Sequence, residues 1–335
     1  MKRSMKLAAL AASSMLALAA CGSDDGLEEG EDGLTKLTVY QITTTDSTPL
    51  YLGIQEGFFE EEGLDVEVKI AESGSAIIPS VVNGESPIGY ANVVSDLAAI
   101  DQGLDIKFVS SCCGVGSDPD ESTSQVFVEE DSDIQGPEDL PGKKIAVNST
   151  KNLGDVTIPV ALENNGIDPS GIEYVPMNYS DMSGALERGD VDAIWMVEPF
   201  RTIALDNGYR PVLSNFVEAF PDATLGYYIT SGDFAENNPE IVESFQKAMD
   251  KSNEYATENT DKLRELAVSE VGLDQDVADR ILFGVYPTGL DTESIKLYGE
   301  AALDQGVISE EPDYDSLVIE PVEYPSPTRP PPGCA

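Results

Sequence analysis

Residues 185–208, ALERGDVDAIWMVEPFRTIALDNG, decide the fold, because residues 81–103, VVNGESPIGYANVVSDLAAIDQG, repeat their plan. Aligned without a gap, Tyr90 falls on Trp195, and the offset stays constant at 105 positions. Each copy predicts a helix end closed by glycine, a short apolar strand and then an amphipathic helix. The chain therefore reads as two related α/β halves.

Strands followed by helices recur along both halves. Alternating or apolar stretches at residues 36–42, 64–70 and 144–148 predict strands, and residues 49–61 predict one helix. This order favours a mostly parallel sheet in each half, flanked by helices. Ligands of such sheets bind beyond the carboxyl ends of the strands, so we expect the two repeated segments to face each other across one cleft.

The chain divides into five predicted segments. They are a lipoprotein signal peptide at residues 1–21, a flexible acidic tether at 22–35, a first lobe at 36–124 and 229–311, a second lobe at 125–228, and a Pro-rich tail at 312–335. The two crossings between the lobes, near residues 122–128 and 224–230, predict a two-strand hinge. A hinge of this kind permits closure around a ligand.

The N-terminal residues 1–21 predict where in the cell the protein is located. A basic start is followed by an apolar run that ends in Leu-Ala-Ala-Cys at Cys21, and this ending resembles the bacterial lipobox, whose cysteine is lipidated. Ordinary secretion with Cys21 as a stray thiol is the alternative. We expect a protein on the extracytoplasmic face of the cell membrane, held by a lipid anchor.

Charge and residue types exclude several functions. The formal net charge of −43 repels phosphate backbones, so we expect no nucleic-acid partner. The chain contains no histidine, which removes His-based catalytic triads and metal sites, and we predict no enzyme, no cofactor and no metal. Cys112, Cys113 and Cys334 are odd in number, and no disulfide pairing can be assigned to them.

The candidate ligand-binding residues are polar or aromatic and lie where strands lead into helices, where backbone N–H groups and hydroxyls suit a small polar ligand. They are Thr44, Asp46, Ser47, Gly74, Ser75, Tyr90, Asn92, Asn148, Ser149, Thr150, Lys151, Asn178, Trp195 and Glu198.

Several of these residues have two open interpretations. Gly74 and Ser75 cap a helix, contact the ligand, or do both. Trp195 is a core residue or stacks on the ligand, and Lys151 is solvated or binds the ligand. Glu198 stabilises a helix start or receives an amino group of the ligand.

Five segments carry a family resemblance: PLYLGIQEGFFEEEGLDV at residues 49–66, the Gly-Ser helix start at 74–75, GESPIG at 84–89, DLPGKKIAV at 139–147 and GDVDAIWMVEPF at 189–200. They resemble the ABC-transporter solute-binding proteins of the nitrate/sulfonate/taurine type, which share their fold with thiamine-pyrimidine precursor binders. The resemblance implies a periplasmic binding protein type II fold, closure on a small solute, and docking to a permease with its ATPase.

The resemblance also limits the function. Some members of the wider fold are pyrimidine synthases that consume a histidine of their own, and this chain has none. Sulfonate and nitrate binders often supply basic groups, whereas Lys151 is the one obvious base here. We expect a monomeric solute-binding protein of an ABC importer for a sulfonate-, nitrate- or taurine-type solute or a thiamine-precursor pyrimidine. A secreted His-free enzyme and a sensor lobe that does not feed transport are the alternatives.

Overall fold

The computed structural model describes residues 27–42, 44–71 and 73–319. The strands in these ranges are β1 (Thr35–Ile42), β2 (Leu64–Ala71), β3 (Ile88–Asn92), β4 (Ile106–Gly114), β5 (Ser124–Val128), β6 (Lys144–Val147), β7 (Glu173–Pro176), β8 (Ala193–Val197), β9 (Arg210–Leu213) and β10 (Thr224–Ser231). The helices are α1 (Thr48–Gln55), α2 (Phe58–Glu61), α3 (Gly74–Val82), α4 (Val93–Asp101), α5 (Leu153–Asn164), α6 (Tyr179–Glu187), α7 (Phe200–Asp206), α8 (Asn215–Ala219), α9 (Gly232–Asn237), α10 (Pro239–Glu258), α11 (Thr260–Ser269), α12 (Gln275–Ala278), α13 (Thr292–Asp304) and α14 (Tyr314–Leu317).

The strands form two five-stranded sheets with the same plan. Their orders are β2-β1-β3-β10-β4 and β7-β6-β8-β5-β9. β1 pairs in parallel with β2 and β3, and β6 pairs in parallel with β7 and β8, whereas β10 and β5 run antiparallel to their neighbours. The predicted α/β architecture of two mostly parallel sheets flanked by helices is confirmed. We call the first sheet with its helices the first lobe, and the second sheet with α5 to α8 the second lobe.

The repeat seen in the sequence is also a structural repeat. β3 and β8 occupy the third position of their sheets, and their bounds differ by the same 105 positions. Gly84 and Gly189, which precede them, have φ angles of 74° and 69°. This left-handed conformation is cheap only for glycine, so the glycine at each helix end is a backbone requirement.

Two segments of the chain cross between the lobes side by side. The first runs from β4 to β5 and the second from α8 to β10. The N–H of Val115, directly after β4, donates to the carbonyl of Ala223, directly before β10, at 2.8 Å. The two crossings are therefore joined by a backbone hydrogen bond.

The prediction of one continuous helix over residues 49–61 is wrong, because the structure has two helices there. Gly57 has a φ of 79° and ends α1, and a second short helix, α2, starts at Phe58. The break lets both helices pack against α10. Phe59 is buried and its ring lies 5.6 Å from that of Phe245.

The helices after β10 cover the first sheet. α10 packs on α1 and β4, and α13 packs on α4 and β10. The start of the predicted Pro-rich tail also belongs to this layer, because Leu317 of α14 is buried and the Ile319 N–H donates to the Phe108 carbonyl at 3.1 Å.

Other predicted segments lie outside the described residues: the signal peptide with Cys21, the start of the tether, and the tail beyond residue 319 with Cys334. The lobe boundaries given for the sequence stay a prediction, and the one at residue 229 falls within β10. None of the described helices is both long and apolar enough to cross a membrane.

The contact between α5 and β8 gives a test of the packing. A Cβ added at Gly154 would lie 2.9 Å from Trp195 Cε3 and 3.0 Å from Val147 Cγ1, which are rigid neighbours. We expect Gly154→Ala to lower the free energy of unfolding by about 1–3 kcal/mol, the usual cost of overpacking. Urea denaturation followed by circular dichroism measures this change.

Gly184→Ala in α6 is the matched control, since its new Cβ would meet only the flexible end of Arg188 at 3.1 Å. Alanine is preferred in a helix interior, so the control is expected to be neutral or to stabilise by up to about 1 kcal/mol. Equal effects of the two substitutions would contradict the close approach of α5 to Trp195.

Candidate functional site

A cavity of about 340 Å³ lies where the carboxyl ends of the two sets of parallel strands meet. Both lobes contribute to its wall through strand ends and through the first residues of helices. Its lining residues are Ile42, Thr44, Thr45, Asp46, Ala71, Ser73, Gly74, Tyr90, Asn92, Gly114, Thr123, Asn148, Asn152, Leu153, Asn178, Tyr179, Ser180, Trp195, Val197, Glu198, Phe200, Phe216 and Leu225. This is the place at which open parallel sheets bind ligands.

Asp46 is the carboxylate on the first lobe's side of the cavity. It lies in a 3-10 turn, Thr45–Ser47, between β1 and α1. Its Oδ2 accepts hydrogen bonds from the Tyr90 hydroxyl at 3.2 Å and from the Thr44 hydroxyl at 3.3 Å. Neither hydroxyl occupies Oδ1. Burial raises the pKa of the Asp46 carboxyl, and the hydrogen bonds from Cys113, Tyr90 and Thr44 lower it in part.

Two reduced cysteines lie behind Asp46. Cys112 and Cys113, at the end of β4, are both buried and free. The Cys113 sulfur lies 3.7 Å from the Tyr90 hydroxyl, and the Cys112 thiol donates to the Asp46 carbonyl at 3.3 Å. Burial raises the pKa of the Cys113 thiol, which keeps it protonated and unreactive.

Trp195 forms the floor on the second lobe's side. It is 1% exposed, and its indole N–H donates to the Ser124 hydroxyl at 2.7 Å. Ser124 in turn donates to Asn215 at 3.0 Å, and Asn215 donates to the Thr157 hydroxyl at 2.7 Å. This buried chain of hydrogen bonds fixes the ring orientation, because each donor would be costly to leave unpaired.

Aromatic rings continue from Trp195 along the second lobe's wall. Tyr179 at the start of α6 stacks on Phe200 with ring centroids 4.9 Å apart and an interplanar angle of 18°. Tyr179 also lies 6.0 Å from the Trp195 ring, and Phe216 lies 6.0 Å from it on the other side. Such rings offer flat apolar contact area with little loss of side-chain entropy.

Glu198 lines the cavity, but its carboxylate is already bound by the protein. Oε1 accepts from the Thr202 hydroxyl at 2.9 Å, from the Leu282 N–H at 3.2 Å and from Arg201 Nη1 at 3.4 Å, and Oε2 accepts from the Thr202 N–H at 3.2 Å. Burial raises the pKa of Glu198, and these donors lower it in part, the Leu282 N–H most among them.

Several helices begin at the cavity and present their positive ends to it. Asn92 caps α4 through a bond from the Ser95 N–H at 3.0 Å, and Asn152 caps α5. Asn178 at the start of α6 makes no side-chain cap hydrogen bond. The cavity therefore combines helix starts with amide side chains, which suits an electronegative ligand group.

The cavity brings together nine of the predicted ligand-binding residues: Thr44, Asp46, Gly74, Tyr90, Asn92, Asn148, Asn178, Trp195 and Glu198. Among the described lining residues none is Lys or Arg. In the described ranges there is also no group of three or more His, Cys, Asp or Glu side chains that could hold a metal ion.

Four other predicted residues, Ser47, Ser149, Thr150 and Lys151, are not among the described lining residues. Ser47 is buried and donates to the Thr44 carbonyl at 2.7 Å. Ser149 accepts a hydrogen bond from the Asn152 amide, and Thr150 is exposed. Lys151 is exposed with a φ of 55°, and its N–H donates to Asp155 at 2.5 Å, so this loop serves the start of α5. The side chain of Ser75 is outside the description.

Sequence reasoning missed Asn152, Tyr179, Phe200 and Phe216 as lining residues. Asn152 carries a usable signal, because Asn followed three residues later by Asp155 is a helix start. Tyr179 and Phe200 also sit at helix starts. Phe216 lies at the start of α8, directly after β9, which runs in the same direction as β8 because both are antiparallel to β5, so it also follows a strand end.

A family model places the chain among known proteins. The model described as NMT1/THI5 like matches residues 44–262, which is more than half of the chain. The chain belongs to the NMT1/THI5-like family.

The relatives of this NMT1/THI5-like chain include proteins named as binding proteins and proteins named as synthases. It is 28% identical over 199 residues to the taurine-binding periplasmic protein of Escherichia coli (strain K12), a match that covers 59% of this chain and 60% of that protein. It thus spans less than two thirds of that relative. It is 27% identical over 238 residues to the 4-amino-5-hydroxymethyl-2-methylpyrimidine phosphate synthase of Aspergillus parasiticus, over 67% of this chain and 66% of the synthase.

A solved structure shares the fold. The alkanesulfonate-binding protein SsuA from Xanthomonas axonopodis pv. citri, bound to MOPS, superimposes with a TM-score of 0.71 at 16% sequence identity. The likeness covers 85% of this chain and 98% of that one. The fold is that of the periplasmic binding proteins.

The bond between Trp195 and Ser124 can be tested without a ligand. Ser124→Ala leaves the buried indole N–H and Asn215 without this partner, so we expect a loss of about 1–3 kcal/mol in the free energy of unfolding. In a Trp195→Phe background the same substitution should cost less, because the indole donor is gone. Chemical denaturation of the four proteins of this cycle measures the coupling.

Ser170→Ala is the control, since Ser170 is exposed and such changes usually stay within about 0.5 kcal/mol. Additive effects of Ser124→Ala and Trp195→Phe would mean that the bond does not hold the ring.

Proposed function

We propose that this protein is a lipid-anchored, extracytoplasmic solute-binding protein of an ABC importer, which closes on a small organic solute and does no chemistry. The observation that carries the proposal is the cavity between two sheets of identical strand order, lined from both lobes and connected by adjacent crossings. Closure of such lobes encloses a ligand. Kinship with a taurine-binding periplasmic protein supports this function.

The proposed partners follow from that role. The solute would be handed to a membrane permease and its ATPase, with the protein acting as a monomer. Cys21 would carry the lipid, because it follows an apolar leader that ends in Leu-Ala-Ala. Residues 22–35 would then connect the anchor to β1.

The chemistry of the cavity favours a solute with an N–H-bearing group. Asp46 offers a carboxylate, Asn148 has a buried Oδ1 without a partner, and no cationic side chain is among the described lining residues. An amino group would supply the missing donors, and burial strengthens such a charge-assisted bond. The helix starts would take an electronegative end of the same solute.

A pyrimidine synthase activity is the second candidate, because relatives carry that name. A reaction that needs a protein histidine is closed to this chain, which contains none. One experiment separates the two functions: the bound solute is released by heat denaturation and its mass is measured by mass spectrometry. A solute recovered unchanged supports binding alone, and a converted one supports an enzyme.

Asp46→Asn should weaken binding of an amine-bearing solute about tenfold or more, since a hydrogen bond to a charged group contributes about 1.5–3 kcal/mol. A thermal-shift screen over taurine, alkanesulfonates, nitrate and aminopyrimidines would find the solute, because a ligand of the folded state raises its melting temperature. Calorimetry would then compare the variants. Asp65→Asn, at an exposed position of β2, is the control and should leave affinity unchanged.

The pH dependence of solute affinity, measured for the protein and for Asp46→Asn, gives a second test of Asp46. The ionised carboxylate is the form that binds a cation, so affinity should be full above the pKa of Asp46 and fall as the pH is lowered through it. Because burial raises this pKa, the fall should begin at a higher pH than an ordinary Asp would give. A flat profile, equal to that of Asp46→Asn, would remove Asp46 from ligand recognition.

The lipid anchor predicts a change of location. In a bacterial host that processes lipoproteins, the protein should sediment with membranes and incorporate labelled fatty acid. Cys21→Ser should abolish the label and release the protein from the membrane fraction. A membrane-bound, labelled Cys21→Ser variant would contradict the assignment.

A further inference from the structure

We propose that residues 278–285, the latch segment, hold the cleft closed by binding at both ends of α7, the latch receptor. Glu198 acts as a positioning residue of this latch. The Leu282 N–H donates to Glu198 Oε1 at 3.2 Å, next to the start of α7. At the other end of α7, Arg280 binds Asp206 with both terminal nitrogens, and its Nη2 lies 2.7 Å from Oδ2. This inference rests on the proposed closure and names the residues that hold it.

The latch segment is fixed to the first lobe. Arg264 of α11 donates to the carbonyls of Ala278 at 2.7 Å and Ile281 at 3.0 Å, and its guanidinium lies 5.3 Å from the Phe283 ring centre. Val285 exchanges two backbone hydrogen bonds with Gly114 at the end of β4, at 2.8 and 3.2 Å. The segment therefore moves with the first sheet.

The latch receptor is fixed to the second lobe. α7 packs on β8 and β5. Arg201 of α7 donates from Nε to Gln125 of β5 at 3.0 Å, and Thr202 binds both carboxylate oxygens of Glu198. Opening the cleft would therefore separate Leu282 from Glu198 and Arg280 from Asp206.

The two contacts have different physical characters. Glu198 is 2% exposed, and the Leu282 N–H adds a donor from the first lobe to an Oε1 that also accepts from Thr202 and Arg201 of the second lobe. Arg280 and Asp206 are half-exposed, so their ion pair is weak alone. Together with the bond between Leu282 and Glu198, it holds the latch segment at two points. Since Glu198 also lines the cavity, the latch contact adjoins the ligand.

Hydrogen exchange tests the latch without any ligand. In the full-length protein, Arg280→Gln should raise exchange about two- to fivefold in peptides that cover 279–285 and in those that cover 198–206, in line with the modest strength of exposed pairs. Peptides from β1 and β6 should not change. Arg188→Gln is the matched control, because Arg188 pairs with Asp190 within the second lobe at 2.8 Å.

The charge-swapped double variant, Arg280→Asp with Asp206→Arg, separates a latch from a merely structural role. It should restore protection in both segments. Faster exchange in only one segment, or no recovery in the swap, would overturn the latch. These outcomes do not depend on a solute, so a failed solute screen would contradict the proposed function and leave the latch result standing.

Discussion

The cleft depends on the pairing of β10 into the first sheet. This strand returns the chain from the second lobe and inserts antiparallel between β3 and β4. Its Tyr228 hydroxyl accepts a 2.7 Å hydrogen bond from Gln41 of β1, and its ring packs edge-on against Tyr90 and Phe245. Thr224 binds Asp291 at 2.9 Å, which fixes the strand to the start of α13. Without this insertion the second crossing would have no anchor in the first sheet.

The sequence predicted the parts of the fold that follow from local periodicity. Glycine closures and apolar strands repeat at a constant offset, and the repeated strands β3 and β8 take equivalent places in their sheets. The break at Gly57 was missed, because a single helix is equally compatible with the apolar pattern there. Only packing against α10 requires two short helices.

The site was predictable where it depends on strand ends and not where it depends on contacts from distant segments. Asp46, Asn92 and Asn178 follow strands of the parallel set, and the rule for open sheets places them at the cavity. The partner of Glu198 is Leu282, 84 positions further along the chain. No periodicity links two such residues, so the sequence left helix capping and ligand contact as the interpretations of Glu198.

The surroundings of the cavity explain how so acidic a protein could hold a polar solute. The net charge of −43 repels anions at long range, whereas the helix starts at the cavity attract them over a single turn. A solute with both an N–H-bearing and an electronegative group meets both conditions, because its amino end suits Asp46 and its net charge stays near zero. The cavity of about 340 Å³ limits such a solute to small size.

The two carboxylates that line the cavity, Asp46 and Glu198, differ in the donors around them. Asp46 accepts hydrogen bonds on Oδ2 from the hydroxyls of Thr44 and Tyr90, which both belong to the first lobe. Glu198 receives donors from Arg201, Thr202 and Leu282 on the two oxygens. Both pKa values are raised by burial, yet only Glu198 has its compensating donor on the opposite lobe. In the proposed function, Glu198 is therefore the carboxylate whose hydrogen bonds change with closure, and Asp46 is the one that meets the solute.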